Sequence, residues 1–296
     1  MLTFLLSFML LIISFSLYII FTLSLALYIL IFSIIWAIMP VPKVRRAILD
    51  YLQTMPSVWS RLITFTIRLT TKTQFEVIGL RHVDKKHSYV IMANHSSWVD
   101  ILMMQHVFDP YLPQLRYFMK QQLLWFPLVG QACWILGYPF MKRYSQAYLK
   151  KHPEKRFEDL ETTRKACERF KGSPITLINY AEGTRFKPEK HAKQKSPYQY
   201  LLRPKAGGVS LILNAMGSQI ETILDVTLIY SERKFTLLNF LKGKLKKVTV
   251  YVEEIPVTPD LRGDYQNDLV FRAHFQEWLN QRWAIKDEKI KSCRIL

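Results

Sequence analysis

The stretch SYVIMANHSSWVDILMMQHVF, Ser88 to Phe108, changes character at its midpoint. SYVIMA is a short apolar run of the residue types that suit a pleated strand, and from Asp100 to Phe108 the pattern turns helical. The polar connection NHSS ends the strand, and Ser96 or Ser97 stands where a hydroxyl can cap the next helix. A strand that feeds a helix through a few residues is the half-unit of an α/β layered protein.

The alternation continues on both sides. FEVIGL precedes it, and RYFMK, PITLINY, a Gly-flanked helix at Val209 to Met216, TILDVTLIY and KVTVYVEEIPV come after it in order. Phe271, Phe275, Trp278, Leu279 and Trp283 close the chain at helical spacing, as a helix docking on a sheet requires. The pattern predicts one α/β domain over residues 73–296, a layered mixed sheet flanked by helices. The polar run KPEKHAKQKSPYQ reads as an exposed loop, and most of the Lys and Arg clusters read as solvated faces.

The first 42 residues contain no Lys, Arg, Asp, Glu or His, so the net charge of +18 belongs entirely to residues 43–296. That opening is dominated by Leu, Ile and Phe and is predicted to be a membrane-embedded anchor. As one helix, residues 1–39 would run roughly 58 Å at about 1.5 Å per residue, about twice the ~30 Å hydrocarbon core. Either one tilted span continues along the interface, or two short passes fold back. A cleaved signal peptide would want a basic start and a small-residue cleavage site, and only Ser24-Leu25-Ala26 faintly offers the latter. Lys43, Arg45 and Arg46 then place the rest of the chain on the cytoplasmic side, the inner membrane in a bacterium.

Residues 43–72 turn amphipathic, and the run SVWSRLITFTIRLT suits a helix lying in the headgroup region or packed on the domain. The basic excess on such a tethered domain points to anionic lipid rather than nucleic acid. Cys133, Cys167 and Cys293 are odd in number and widely spaced, so neither a disulfide framework nor a metal site is expected.

His95 and Asp100 stand five residues apart, where strand gives way to helix, and both side chains can face one site. An imidazole titrates near neutral pH, so it can take a proton from an alcohol when a carboxylate fixes its tautomer. Downstream, PITLINY runs into Glu182-Gly183-Thr184-Arg185, which taken alone reads either as an anion site or as an ordinary strand-ending turn with a Glu–Arg pair. Gly lets the backbone approach a ligand, Thr supplies a hydroxyl, and Arg offers a fork of donors. There is no GxSxG elbow, no HExxH and no Walker-type phosphate loop.

The order of NHSSWVD, GYPFMKR and AEGTRF, each near a strand end, resembles the glycerolipid acyltransferases of the lysophosphatidic acid acyltransferase type. The resemblance spans about Gln74 to Pro259 and looks closest to the bacterial YihG-like and lysocardiolipin acyltransferase branch. It implies a glycerol-phosphate acyltransferase-like fold, with His95 and Asp100 as the catalytic pair. It implies that Glu182 to Arg185 hold the acceptor's phosphate, helped by Arg143 and Lys120. In the second block, Gly137, Phe140 and Arg143 match the family pattern and Met141 replaces an Ile. The fourth block departs from it, since LDVTLIY carries no Val-Pro pair, and the loop after AEGTRF is longer than in the simplest bacterial enzymes.

The activity implied is transfer of a fatty acyl group from acyl-CoA or acyl carrier protein to a lysophospholipid hydroxyl, with 1-acylglycerol 3-phosphate the foremost acceptor. Lysophosphatidylglycerol or lysocardiolipin remodelling is the alternative, and a non-catalytic basic membrane tether is the reading from another class. The partners expected are an anionic lysophospholipid, an acyl thioester and the membrane, with no cofactor, no metal and no nucleic acid. Backbone N–H groups at the helix start after His95 are the expected donors to the oxyanion.

Overall fold

The structure, a computed structural model, describes residues 2–142, 148, 151–152, 156–232 and 235–295. Its helices are α1 (Leu2–Ile38), α2 (Pro42–Leu52), α3 (Met55–Thr70), α4 (Val99–Phe108), α5 (Val129–Ile135), α6 (Arg156–Glu168), α7 (Pro188–Gln194), α8 (Ala206–Met216), α9 (Leu237–Leu241) and α10 (Leu269–Ile295). The strands are β1 (Gln74–Ile78), β2 (Ser88–Ala93), β3 (Leu115–Tyr117), β4 (Met119–Lys120), β5 (Phe140–Met141), β6 (Thr176–Tyr180), β7 (Ile220–Tyr230) and β8 (Lys247–Pro256).

Six strands form one sheet in the order β1-β8-β7-β2-β6-β3. Every neighbouring pair is parallel except β7 and β8, so the sheet is mixed, as the alternation predicts. β2 lies inside it between β7 and β6, and all six of its residues are buried. Side chains alternate across a strand, which is why a run apolar at every position must be covered on both faces. Tyr89, Ile91 and Ala93 pack towards Ile63 and Ile67 of α3 and Met103, Val107 and Phe108 of α4. Val90 and Met92 pack on the other side with Val209, Ile212 and Leu213 of α8 and Phe275, Leu279 and Trp283 of α10.

RYFMK, read as one strand, is divided. Leu115–Tyr117 pairs with β6 at the sheet edge, whereas Met119 and Lys120 leave it to pair with Phe140 and Met141. That small second sheet sets Lys120 beside the GYPFM segment.

The apolar opening is a single helix without a turn, long and apolar enough to cross a membrane. One stripe of it is covered. Ser14, Ala26 and Ile29 are buried, Tyr18 stacks on Phe240, and Thr22 accepts a hydrogen bond from Trp59 Nε1 at 3.0 Å. Ala26 and Ile29 share a small cluster with Leu52, Met55, Ala132 and Leu136, so α1, the α2–α3 segment and α5 pack together. The opposite stripe, including Phe8, Ile12, Phe15, Ile19, Leu23, Leu27, Ile31 and Ile34, is exposed. α3 packs on the domain through Ile63 and Ile67 while its Arg61 and Arg68 face outward.

Candidate active site

β2 ends at Ala93, and the chain must turn before α4 begins. Asn94 makes that exit specific: its side chain donates to Leu228 O at 3.0 Å and accepts from Leu228 N at 2.8 Å, continuing the ladder with β7 by one side-chain amide. His95 comes next. Its Nδ1 lies 2.7 Å from Asp100 Oδ2, and Asp100 is fully buried. A neutral imidazole that donates from Nδ1 to a carboxylate keeps Nε2 as an acceptor.

Asp100 is held from four directions. Oδ2 also accepts from the backbone N–H of Ser96 at 2.7 Å and of Ser97 at 2.9 Å, and Oδ1 accepts from the Tyr230 hydroxyl at 2.5 Å. The carboxylate therefore reaches back over the first turn of α4, where a negative charge is favoured. Ser97 Oγ makes one contact of the expected kind, accepting from Val99 N at 3.3 Å, but the carboxylate holds most of the loop. The same geometry leaves fewer of the expected oxyanion donors free. The amides of Ser96 and Ser97 are occupied by Asp100, and that of His95 donates to Glu182 Oε1 at 3.0 Å.

The EGTR turn leaves the end of β6, next to β2, and is bolted to the same peptide. Phe186 N donates to His95 O at 2.8 Å, so His95 is clamped through both its N–H and its carbonyl. Gly183 has φ +69°, in the left-handed region, and Lys205 crosses it so closely that an added Cβ would sit 3.4 Å from its Nζ. Arg185 lays its guanidinium 3.8 Å over the ring of Trp98, which joins the turn to the NHSSWVD segment. Burial pulls Arg185 below the usual arginine range and the Asp100 charge opposes it, so the guanidinium lies within reach of the acid that orients His95.

Glu182 differs from the expectation. It is 1% exposed, and its second oxygen accepts from Leu202 N at 3.1 Å. Burial pushes its carboxyl up to about 8, against the pull of those backbone donors. Both oxygens of that carboxyl are spent on backbone amides and fix the turn, so within EGTR it is Thr184 and Arg185 whose side chains could meet an anion. Lys120 is exposed beside Met141, and its charge reaches the neighbourhood of Arg185 through Lys190. Arg143 lies outside the described residues.

Several contributing residues carry no local signal. Tyr180 stacks on the His95 ring with centroids 4.1 Å apart, and Tyr230 reaches Asp100 only because β7 extends four residues past the register partner of Ala93, Val226. Lys190 Nζ donates to Thr184 Oγ1. The register of β2 against β7 is the information that would have found Tyr230. Among the described residues no group of three or more His, Cys, Asp or Glu side chains is placed to hold a metal ion. Burial pushes the Cys133 thiol up to about 11 and Cys167 to about 12, so neither is a thiolate at neutral pH.

A mixed α/β sheet thus sets an acid-oriented histidine at the end of an interior strand, beside a turn that carries Thr184 and Arg185. The chain belongs to the Acyltransferase family, whose model matches residues 74–231, more than half its length. It is 23% identical over 253 residues to the mouse 1-acyl-sn-glycerol-3-phosphate acyltransferase epsilon, covering 78% of this chain and 64% of that one. It is 26% identical to 1-acyl-sn-glycerol-3-phosphate acyltransferase 3 of Arabidopsis thaliana, over 71% of this chain and 56% of the other. The chain thus spans less than two thirds of the length of either relative. The crystal structure of the 1-acyl-sn-glycerophosphate (LPA) acyltransferase PlsC from Thermotoga maritima shares the fold, with a TM-score of 0.51 over 96% of this chain and 98% of that one, at 16% identity.

Proposed function

We propose that the protein transfers a fatty acyl group from an acyl thioester to the free hydroxyl of an anionic lysophospholipid, with 1-acylglycerol 3-phosphate as the foremost acceptor. The observation that carries this reading is the His95–Asp100 contact at 2.7 Å beside the Thr184–Arg185 turn. Membrane association accompanies it, since α1 offers a long apolar surface next to the domain.

In this mechanism the acceptor's phosphate rests on Arg185 and Thr184, with Lys120 near them and Arg143 given the same role by its place in the sequence pattern alone. His95 Nε2 takes the hydroxyl proton as the oxygen attacks the thioester carbonyl carbon. Asp100 steadies the imidazolium, and it can do so without moving because its other donors already hold it. When the tetrahedral intermediate collapses, the C–S bond breaks and the leaving thiolate takes the proton from Nε2. No covalent acyl-enzyme is needed, and either acyl-CoA or acyl carrier protein supplies the thioester. The basic residues after α1 favour a cytoplasmic position for the domain.

The test uses the full chain in detergent or vesicles with labelled acyl-CoA and 1-acylglycerol 3-phosphate. His95→Ala is expected to lower kcat by about 10²- to 10⁴-fold while vesicle binding persists. An unchanged rate in the variant, or no transfer by the wild type, would sink the reading.

A further inference from the structure

The segment from Lys187 to Lys195, read from sequence as an exposed loop, keeps Lys187, Glu189, Lys193 and Lys195 exposed, but it forms α7 and turns Lys190 toward the site. α7 begins two residues after Phe186, which is itself bonded to His95 O. Lys190 turns over the EGTR turn, where its ammonium donates to Thr184 Oγ1 and to Arg185 O at 3.4 Å. Lys205 crosses Gly183. Lys187, Arg185 and Lys120 all lie close enough to act on Lys190, and Glu189 is the acid that opposes them. Partial burial, and then those like charges, draw the Lys190 ammonium below the usual lysine range. Among the described residues no carboxylate forms an ion pair with Lys120, Arg185, Lys187 or Lys190.

Positive charges gathered without a counter-ion repel one another until an anion arrives, and each further negative charge on that anion meets the whole set. We propose that Lys190 is a specificity-determining residue of this site, and that the cluster it completes selects an acceptor whose phosphate carries two negative charges, a monoester, over one carrying a single charge, a diester. The inference rests on the acyl-transfer reading above and names the acceptor chemistry within it. Lys190 suits this role because its bond to Thr184 holds an ammonium at the turn, whereas a lysine on an outward face would be screened by solvent.

The two phosphate classes separate by pH. A monoester gains its second charge near pH ~6, and a diester carries one charge throughout. The experiment measures KM and kcat for 1-acylglycerol 3-phosphate and for lysophosphatidylglycerol between pH 5.5 and 8, with the full chain in vesicles of neutral lipid. For the wild type, KM for the monoester falls as pH rises through its second ionisation, and KM for the diester does not follow. Lys190→Met is expected to raise the monoester KM about ten-fold at pH 7.5 and to flatten its pH dependence, with the diester KM and both kcat values nearly unchanged. Lys190→Arg restores the preference, and Lys193→Met, an exposed change on the same helix, leaves it intact.

Should Lys190→Met fail to fold, Lys190→Gln keeps a donor for Thr184 without the charge and is judged by the same ratio. Equal losses on both acceptors, a fall in kcat alone, or a wild type that prefers the diester would overturn the proposal. His95-dependent transfer without any Lys190 selectivity defeats this inference only. Absence of transfer to every acceptor defeats the acyl-transfer reading and this one with it.

Discussion

Tyr230 carries the least obvious part of the site. Its hydroxyl donates to Asp100 Oδ1 at 2.5 Å, and burial together with the Asp100 charge pushes its ionisation well above the usual tyrosine range, so it stays a donor at any working pH. The ring is stacked on Phe235 with centroids 4.6 Å apart, which Phe in place of Tyr would preserve. Tyr230→Phe therefore removes one hydrogen bond to a buried charge and little else. Such a bond is worth about 1.5–3 kcal/mol, and the lower end of that range is about ten-fold in rate if it is felt fully in the transition state. We expect kcat to fall by about that factor with KM unchanged, and the thermal midpoint to drop, both read on the same preparation. His95 and Asp100 were legible in sequence because five residues separate them across a strand-to-helix junction. Tyr230 was not, because it stands 130 residues from Asp100 and arrives through strand register. Glu182 was legible as part of a turn, but the inward direction of its carboxylate depends on the amides of His95 and Leu202, which no local pattern encodes.

Among the elements, α10 departs most from its plain reading as a docking helix. Phe275, Leu279 and Trp283 are buried as their spacing predicts, but the stripe continues into Lys286, which is 1% exposed. Lys286 donates to Val226 O at 2.7 Å and to Met92 O at 3.4 Å and is paired with Asp225, while Arg282 bridges Asp225 at 3.0 Å and Glu253 at 2.6 Å. Asp225 occupies the fourth block, and its partner comes from a helix beyond the family's matched segment. A lysine on a helix reads as solvated unless its acid is known, so this pair was invisible until the sheet was assembled. Met92 is two residues before Asn94, which makes Lys286 a prop under the strand that presents His95. Lys286→Met leaves Asp225 buried with one fewer cation and should cost about 3–5 kcal/mol in denaturant unfolding. Converting the pair together, with Asp225→Leu added, should recover most of that loss, because the penalty lies in the stranded charge.

At the scale of the molecule, the question is how α1 meets the bilayer. Its apolar length was plain from sequence, but its orientation was not, because hydroxyl residues are scattered around the helix, Ser16 and Ser24 as well as Ser14 and Thr22, and single out no one side for packing. The structure supplies that side: Ser14, Tyr18, Thr22, Ala26 and Ile29 recur at three- and four-residue intervals and rest on the domain. From Ser14 to Ile29 is about 22 Å of helix axis at ~1.5 Å per residue, most of a hydrocarbon core. If α1 stood across the membrane, α3 would have to enter the hydrocarbon with it, carrying Arg61 and Arg68 on its outer face. Exposed guanidinium groups at that depth cost several kcal/mol each, at least ~2.5 on insertion scales. The cheaper arrangement lays α1 in the plane of one leaflet, with Phe8, Ile12, Phe15, Ile19 and Leu23 facing the acyl chains and the net charge of +18 drawn to anionic headgroups. Exposed Trp125, Phe126 and Trp134, on and beside α5, suit the same interface. The expected outcome is that both ends of α1 lie on the domain's side of the membrane. In a background with Cys133, Cys167 and Cys293 replaced, Thr3→Cys, Lys43→Cys and Lys193→Cys should all react with an impermeant maleimide added from one face of sealed vesicles. Labelling of Thr3→Cys from the opposite face alone would mean that α1 spans, and that its packing against α3 is given up in the bilayer.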